Sequence, residues 1–147
     1  MRKFVFTLQT LLNVKATLEK QKKTELAAQN LLIARLEDEL AAMYARLDAA
    51  IAEYNAKMEA GGMSPGDAAA YGSGFRAMYD RIHEQHEKIE SAERVRERMQ
   101  RELTELLGER KMRENLRQKQ FMEYMEELRR EEAKAVDDYM SSKEARE

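Results

Sequence analysis

The chain has 147 residues, of which 37% are charged, with one proline, no cysteine, no tryptophan and a formal net charge of −2. Its length would allow one ordinary globular domain, but this composition is typical of long solvated helices. The near-neutral charge excludes an overall basic field for nucleic acid, and no apolar run is long enough for a membrane span. Polar residues interrupt the apolar run that follows the basic start, and no small-residue cleavage site comes after it. We therefore expect a soluble cytoplasmic protein without a signal peptide.

The first predicted element is a helix over about residues 5–59. Apolar residues recur there at alternating spacings of three and four, and they occupy eight of ten positions of this template. The ten positions are Leu26, Gln29, Ile33, Leu36, Leu40, Met43, Leu47, Ala50, Tyr54 and Lys57. A repeat averaging about 3.5 residues places an apolar stripe along one side of a helix and indicates a partner helix.

A turn is predicted at about residues 60–67, where the chain reads GGMSPGD at residues 61–67. Either Ser64 or Asp67 is the expected cap of the next helix, with Pro65 suited to a first helical position. Gly72 and Gly74 each cost roughly 1 kcal/mol inside a helix. The second helix therefore begins either near residue 68, as a short or frayed piece, or firmly at residue 75.

The second helix is predicted to run to about residue 140, with residues 141–147 disordered. Its stripe also has eight apolar residues in ten positions: Phe75, Met78, Ile82, Gln85, Ile89, Ala92, Arg96, Met99, Leu103 and Leu106. Two such helices joined by a turn predict an all-α fold, an antiparallel coiled-coil hairpin forming a single domain over residues 1–147. Opposing residue numbers should sum to about 128, so the second helix overhangs past about residue 126.

Basic residues concentrate in two blocks near the open end of this hairpin. Residues 1–24 have a net charge of +5, and residues 94–119 have a net charge of +4. Either these blocks form a basic band for a partner, or they are ordinary solvated faces with a chance imbalance.

Catalytic motifs are missing from the sequence, which has no phosphate-binding loop, nucleophile elbow or cysteine pair. His83 and His86 are three residues apart, which differs from the four-residue spacing of a helical zinc motif. Acidic residues interleave with the arginines of the second helix, unlike a groove-reading basic helix. We expect no enzyme activity, no cofactor, no metal and no nucleic acid.

The opening segment FVFTLQTLLNVK, residues 4–15, resembles the start of the flagellar export protein FliJ family. Length, hairpin layout and lack of cysteine agree with this family along the whole chain. The related YscO group of injectisome proteins shares the same plan. The resemblance implies a soluble part of the flagellar type III export apparatus, similar to the stalk subunit of rotary ATPases. Its partners would be the hexameric export ATPase FliI, the export gate FlhA and export chaperones, with peripheral association at the cytoplasmic side of the inner membrane.

Two sets of partner-binding residues follow from the resemblance. The export gate would contact Phe75, Tyr79, Ile82 and His86, whose spacing also fits a wide seam near the turn. The ATPase ring would contact Arg2, Lys3, Phe4, Leu8, Lys15, Lys20, Lys22, Lys23, Arg110, Arg113, Arg117 and Phe121. On this hypothesis, joint charge reversal of Lys20, Lys22 and Lys23 reduces ring association. The alternative function is a self-associating structural or chaperone-like coiled coil that dimerises through its overhanging helix.

Overall fold

The computed structural model describes residues 2–147, which form two helices and no strand. Helix α1 spans Gln9–Glu59 with 51 residues, and helix α2 spans Pro65–Glu144 with 80 residues. Contacts between the helices are those of an antiparallel hairpin. The predicted all-α fold of two long helices is therefore confirmed.

Two glycines at the predicted position reverse the chain. Gly61 and Gly62 have φ angles of 131° and 84°, a conformation that L side chains rarely adopt. The Gly62 amide donates to the carbonyl oxygens of Lys57 and Met58, both at 3.2 Å, and so ends α1. The Ser64 hydroxyl then accepts from the amide of Asp67 at 3.1 Å, which identifies Ser64 as the cap of α2.

The helix bounds differ from the predicted ones at three places. Helix α1 begins at Gln9 rather than near residue 5, since a turn at residues 7–8, with a bond of 3.0 Å from the Gln9 amide to the Phe6 carbonyl, precedes it. Helix α2 passes without interruption through Gly72 and Gly74, so it has neither a separate short helix nor a late start at residue 75. It ends at Glu144, so most of the segment predicted to be disordered is helical.

The chain divides into two compact units, and unit 2 comprises residues 22–102. Its buried apolar residues are Ile33, Leu47, Ile82, Ile89 and Ala92. The numbers of the residue pairs joined by interhelical hydrogen bonds sum to values from 121 for Gln29–Ala92 to 130 for Tyr44–His86, a range that includes the predicted value of about 128. The connection between the helices is centred near residue 62, because α1 ends at Glu59 and α2 starts at Pro65.

Unit 1 comprises residues 2–21 and 103–147 of the described chain. Its buried residues are Phe6, Leu12 and, unexpectedly for a seam, Glu19 at 3% exposure. Every residue of α2 beyond Leu128 is exposed. The overhang of the second helix is thus present, and it begins close to the predicted point.

Candidate functional site

The four predicted gate-binding residues do not share one free surface. Ile82 is 5% exposed and belongs to the seam between the helices. Phe75 is half-buried, whereas Tyr79 is 55% exposed and His86 is also exposed. Of the four, only Tyr79 and His86 are exposed, and they lie seven residues apart on the same side of α2.

A tyrosine of α1 completes the surface around His86. The Tyr44 hydroxyl and His86 Nε2 share a hydrogen bond of 3.0 Å, and their rings meet edge to face at 6.1 Å. Tyr44 itself is 42% exposed. Sequence reasoning missed Tyr44, although it follows seam residue Met43 directly, at the position equivalent to that of Tyr79 after Met78.

Phe75 belongs instead to an aromatic cluster near the turn. Its ring meets those of Tyr54 and Tyr71 at 5.7 and 6.1 Å, and Tyr54 and Tyr71 are 5.6 Å apart. The Tyr71 hydroxyl donates to Glu53 Oε1 at 2.9 Å, and this bond, together with Lys57, lowers the pKa of the Glu53 carboxyl. The Lys57 ammonium lies 5.0 Å from the Tyr71 ring centre. Sequence reasoning missed Tyr71, because the segment around it was expected to be frayed.

The predicted ring-binding residues fall mainly in unit 1, where the first residues pack against α2. Phe4 meets the Phe121 ring edge-on at 5.2 Å and the Tyr124 ring at 5.7 Å. The Tyr124 hydroxyl donates to the carbonyl oxygen of Arg2 at 2.6 Å. Leu8 is half-buried and Phe121 is 44% exposed. The structure therefore unites the aromatic members of the predicted set, and it adds Tyr124.

Several predicted basic residues of unit 1 are already paired across the helices. Lys15 lies 2.9 Å from Glu109, and Arg113 lies 3.5 Å from the same carboxylate. The Lys15 ammonium is the main cause of the lowered pKa of Glu109. Arg110 lies 3.2 Å from the buried Glu19. These three cations hold the two helices together, which restricts their use by a partner.

In unit 2, Lys22 has the same interhelical role. Its ammonium bonds Glu102 Oε2 at 2.5 Å, which raises the pKa of Lys22 and lowers that of Glu102. Lys23 in unit 2 and Lys20 in unit 1 are exposed, and both also interact within the chain.

Three predicted basic residues remain available to a partner. Arg2, Lys3 and Arg117 are exposed and make no ion pair among residues 2–147. All three belong to unit 1, which also contains the Phe4–Phe121–Tyr124 aromatic cluster. Exposed cations beside half-exposed aromatic rings can form both ionic and cation–π contacts with another protein.

The described residues contain no candidate metal site and no candidate membrane span. Among residues 2–147, no group of three or more His, Asp or Glu side chains could hold a metal ion. His83 instead lies 3.2 Å from Glu87 on the same helix. Across these residues, neither helix contains a stretch apolar and long enough to cross a membrane.

Comparison with known proteins gives one match. The sequence model of the family described as Flagellar FliJ protein matches residues 4–147, which is nearly the whole chain. Neither a curated protein nor a solved structure matches the chain.

Proposed function

Because the chain belongs to the flagellar FliJ protein family, we propose that it is the subunit that couples the export ATPase ring to the membrane export gate. Membership itself makes the chain a structural component of the flagellar export apparatus. The coupling role, its partners FliI and FlhA, the binding of export chaperones and a position at the cytoplasmic face of the inner membrane belong to the proposal.

The observation that best supports the ring contact is the set of unpaired cations in unit 1. Arg2, Lys3 and Arg117 remain available, whereas Lys15, Arg110 and Arg113 are engaged in interhelical ion pairs. We therefore assign the ring-binding contacts to the free cations and to the Phe4–Phe121 pair beside them. Exposed ion pairs are individually weak, which suits a surface that must exchange contacts with the subunits of a ring.

The gate contact is supported by the exposed aromatic surface of unit 2. Tyr79, His86 and Tyr44 present two tyrosine rings and one imidazole on two neighbouring helices. Tyrosine is enriched at protein interfaces because its ring buries a large area while its hydroxyl still finds a polar partner. Ile82 supports this surface from within the seam, and it is not itself a contact.

The ring contact can be tested by charge reversal. In the variant Arg2→Glu, Lys3→Glu, Arg117→Glu, we expect stimulation of ATP hydrolysis by the cognate export ATPase to fall by about fivefold or more, because three attractive contacts become repulsive. The matched control is Arg46→Glu, Arg76→Glu, Arg81→Glu, which makes the same charge change at exposed positions of unit 2.

Equal stimulation by the two variants would exclude the assigned cations from the ring contact. Lys20, Lys22 and Lys23 are a poorer choice for this test, because Lys22 also holds α1 to α2 through Glu102. Reversal at Lys22 would weaken the hairpin as well as any ring contact.

The alternative, a self-associating coiled coil, is favoured by one observation. The overhang exposes Val136, Tyr139 and Met140 to 61%, 68% and 52%. Light scattering after size exclusion separates the two functions: a tight dimer that is indifferent to the ATPase supports self-association, and a monomer that joins an ATPase hexamer supports the coupling role.

A further inference from the structure

Residues 60–74, which we name the tip segment, make few contacts with the rest of unit 2. Within this segment only Met63, Tyr71 and Gly74 are even half-buried, and the remaining residues are exposed. Apart from the Tyr71 hydroxyl bond to Glu53, its hydrogen bonds are local, such as the Ser64 cap and the bond from the Ala68 amide to the Ser64 carbonyl. A helical stretch with little buried surface opens more easily than the seam beyond it.

Two glycines weaken this stretch further, although no close contact requires glycine at either position. A Cβ added at Gly72 or at Gly74 would meet no other atom within 4 Å. Both residues lie inside α2, where each glycine costs roughly 1 kcal/mol relative to alanine. The first turns of α2 are therefore less stable than they would be with alanine at these two positions, which the packing would allow.

Tyr71 is the residue that holds the tip segment against α1. Its hydroxyl donates to Glu53 at 2.9 Å, its ring lies 5.6 Å from the Tyr54 ring, and the Lys57 ammonium lies 5.0 Å from its centre. Glu53 and Lys57 are also 3.4 Å apart, so the three polar contacts form one small network. Loss of Tyr71 would remove all of these contacts except the Glu53–Lys57 ion pair, which lies within α1.

Opening of this segment would change what Phe75 can contact. Phe75 directly follows the segment and is half-buried against Tyr54 and Tyr71. When Tyr71 leaves α1, one of the two rings that cover Phe75 leaves with it. Tyr79 stands one helical turn further along and is already exposed.

We propose that the tip segment opens as a local unit controlled by Tyr71, and that opening exposes the Phe75 ring for the partner that contacts Tyr79 and His86. The second half of this proposal rests on the proposed function, since it takes that partner to be the export gate. The first half is a property of the isolated chain and stands without a partner.

Hydrogen exchange of the full chain tests the first half. We expect amides of residues 65–74 to exchange about fivefold faster in Tyr71→Phe, which loses the hydroxyl bond to Glu53, and much faster in Tyr71→Ala. Gly72→Ala should slow exchange in the same residues about fivefold, the equivalent of the roughly 1 kcal/mol between glycine and alanine. Exchange in residues 82–99 should change far less in each variant.

Gly108→Ala is the matched control. Gly108 also lies inside α2 with no atom within 4 Å of an added Cβ, but it belongs to unit 1. The same substitution there should leave exchange in residues 65–74 unchanged. If Tyr71→Phe and Gly72→Ala alter residues 65–74 no more than Gly108→Ala does, the local unit does not exist.

Binding of the purified cytoplasmic domain of the cognate export gate protein tests the second half. If the open form binds, Gly72→Ala should raise Kd by up to about fivefold and Phe75→Ala should also raise it, whereas Gly108→Ala should not. Should Tyr79→Ala and His86→Ala leave Kd unchanged, the proposed gate contact is wrong and the exchange result is unaffected. Should those two weaken binding while Gly72→Ala does not, the gate contact stands and its dependence on opening is overturned.

Discussion

Gln85 shows how a single polar side chain can fix the alignment of two helices. It is 1% exposed, and its amide donates to the carbonyl oxygen of Leu36 at 2.9 Å and to Glu39 Oε2 at 3.1 Å. Gln29 makes the equivalent bond from α1, donating to the carbonyl oxygen of Ala92 at 2.9 Å. Polar residues at seam positions specify register at some cost in stability, because other alignments would leave them without partners.

Replacement of Gln85 by leucine should therefore loosen the alignment of the two helices without a large loss of stability. We expect Gln85→Leu to change the free energy of unfolding by less than about 1.5 kcal/mol, or to raise it. Leucine has a volume similar to that of glutamine, and the Leu36 carbonyl still accepts its hydrogen bond within α1. The distribution of helix alignments should broaden. Spin labels on Glu37→Cys and Glu87→Cys, in a chain with no native cysteine, would measure it as a wider distance distribution.

Gln85→Ala is the control for this comparison, since it removes the same amide but leaves a cavity. It should lower the free energy of unfolding by about 1–3 kcal/mol. A distance distribution in Gln85→Leu as narrow as in the unchanged chain would show that the turn alone fixes the register.

At the scale of the helices, the seam of unit 1 contains charge where an apolar residue would be expected. Glu19 is 3% exposed and lies 3.2 Å from Arg110, with Leu12 buried one heptad earlier. Desolvation of the Glu19 carboxylate offsets much of its attraction to the half-buried Arg110, so this ion pair adds less stability than its short distance suggests. The pair instead favours one alignment of the two helices, because any other alignment would leave the buried Glu19 carboxylate without Arg110.

The double variant Glu19→Leu, Arg110→Leu should be as stable as the unchanged chain or more stable, by about 1–4 kcal/mol. The single variant Arg110→Leu should instead lose about 3 kcal/mol, because the buried carboxylate keeps its desolvation cost without this cation. Denaturant unfolding monitored by circular dichroism measures both. A double variant less stable than the single one would show that the pair itself stabilises unit 1.

Much of this architecture could be predicted from the sequence. The spacing of Ile33, Leu47, Ile82 and Ile89 gave the buried seam, and Gly61 with Gly62 gave the turn. These features are local or periodic, so they are visible without knowledge of what lies opposite.

The remaining features depend on partners distant in the chain. Counting charges along the sequence placed Lys15 and Lys22 on a basic surface, whereas Glu109 and Glu102 engage them across the seam. Helix propensity at Gly72 predicted an interruption, whereas α2 continues and the adjacent Tyr71 contacts α1. For Ile82 the sequence left both a seam position and a gate contact open, because a repeat alone does not distinguish the centre of an apolar stripe from its edge.

For the whole molecule, the carboxylates of Glu53, Glu102 and Glu109 make stability depend on pH. The pKa values of Glu102 and Glu109 are lowered mainly by hydrogen bonds from Lys22 and Lys15, and that of Glu53 mainly by the Tyr71 hydroxyl. A carboxyl whose pKa is lowered on folding stabilises the folded state above its unfolded pKa, near 4.5. That contribution is lost as the pH falls from about 5 through the lowered folded values.

The midpoint of thermal unfolding should therefore be steady from pH 7 to about 5.5 and fall progressively below about pH 5. The variant Glu102→Gln, Glu109→Gln should unfold at a lower temperature at pH 7 and show a shallower fall on acidification, because two of the titrating groups are gone. Circular dichroism at 222 nm over this pH range measures both. Parallel curves for the two proteins would mean that general charge repulsion, rather than these interhelical pairs, causes the loss in acid.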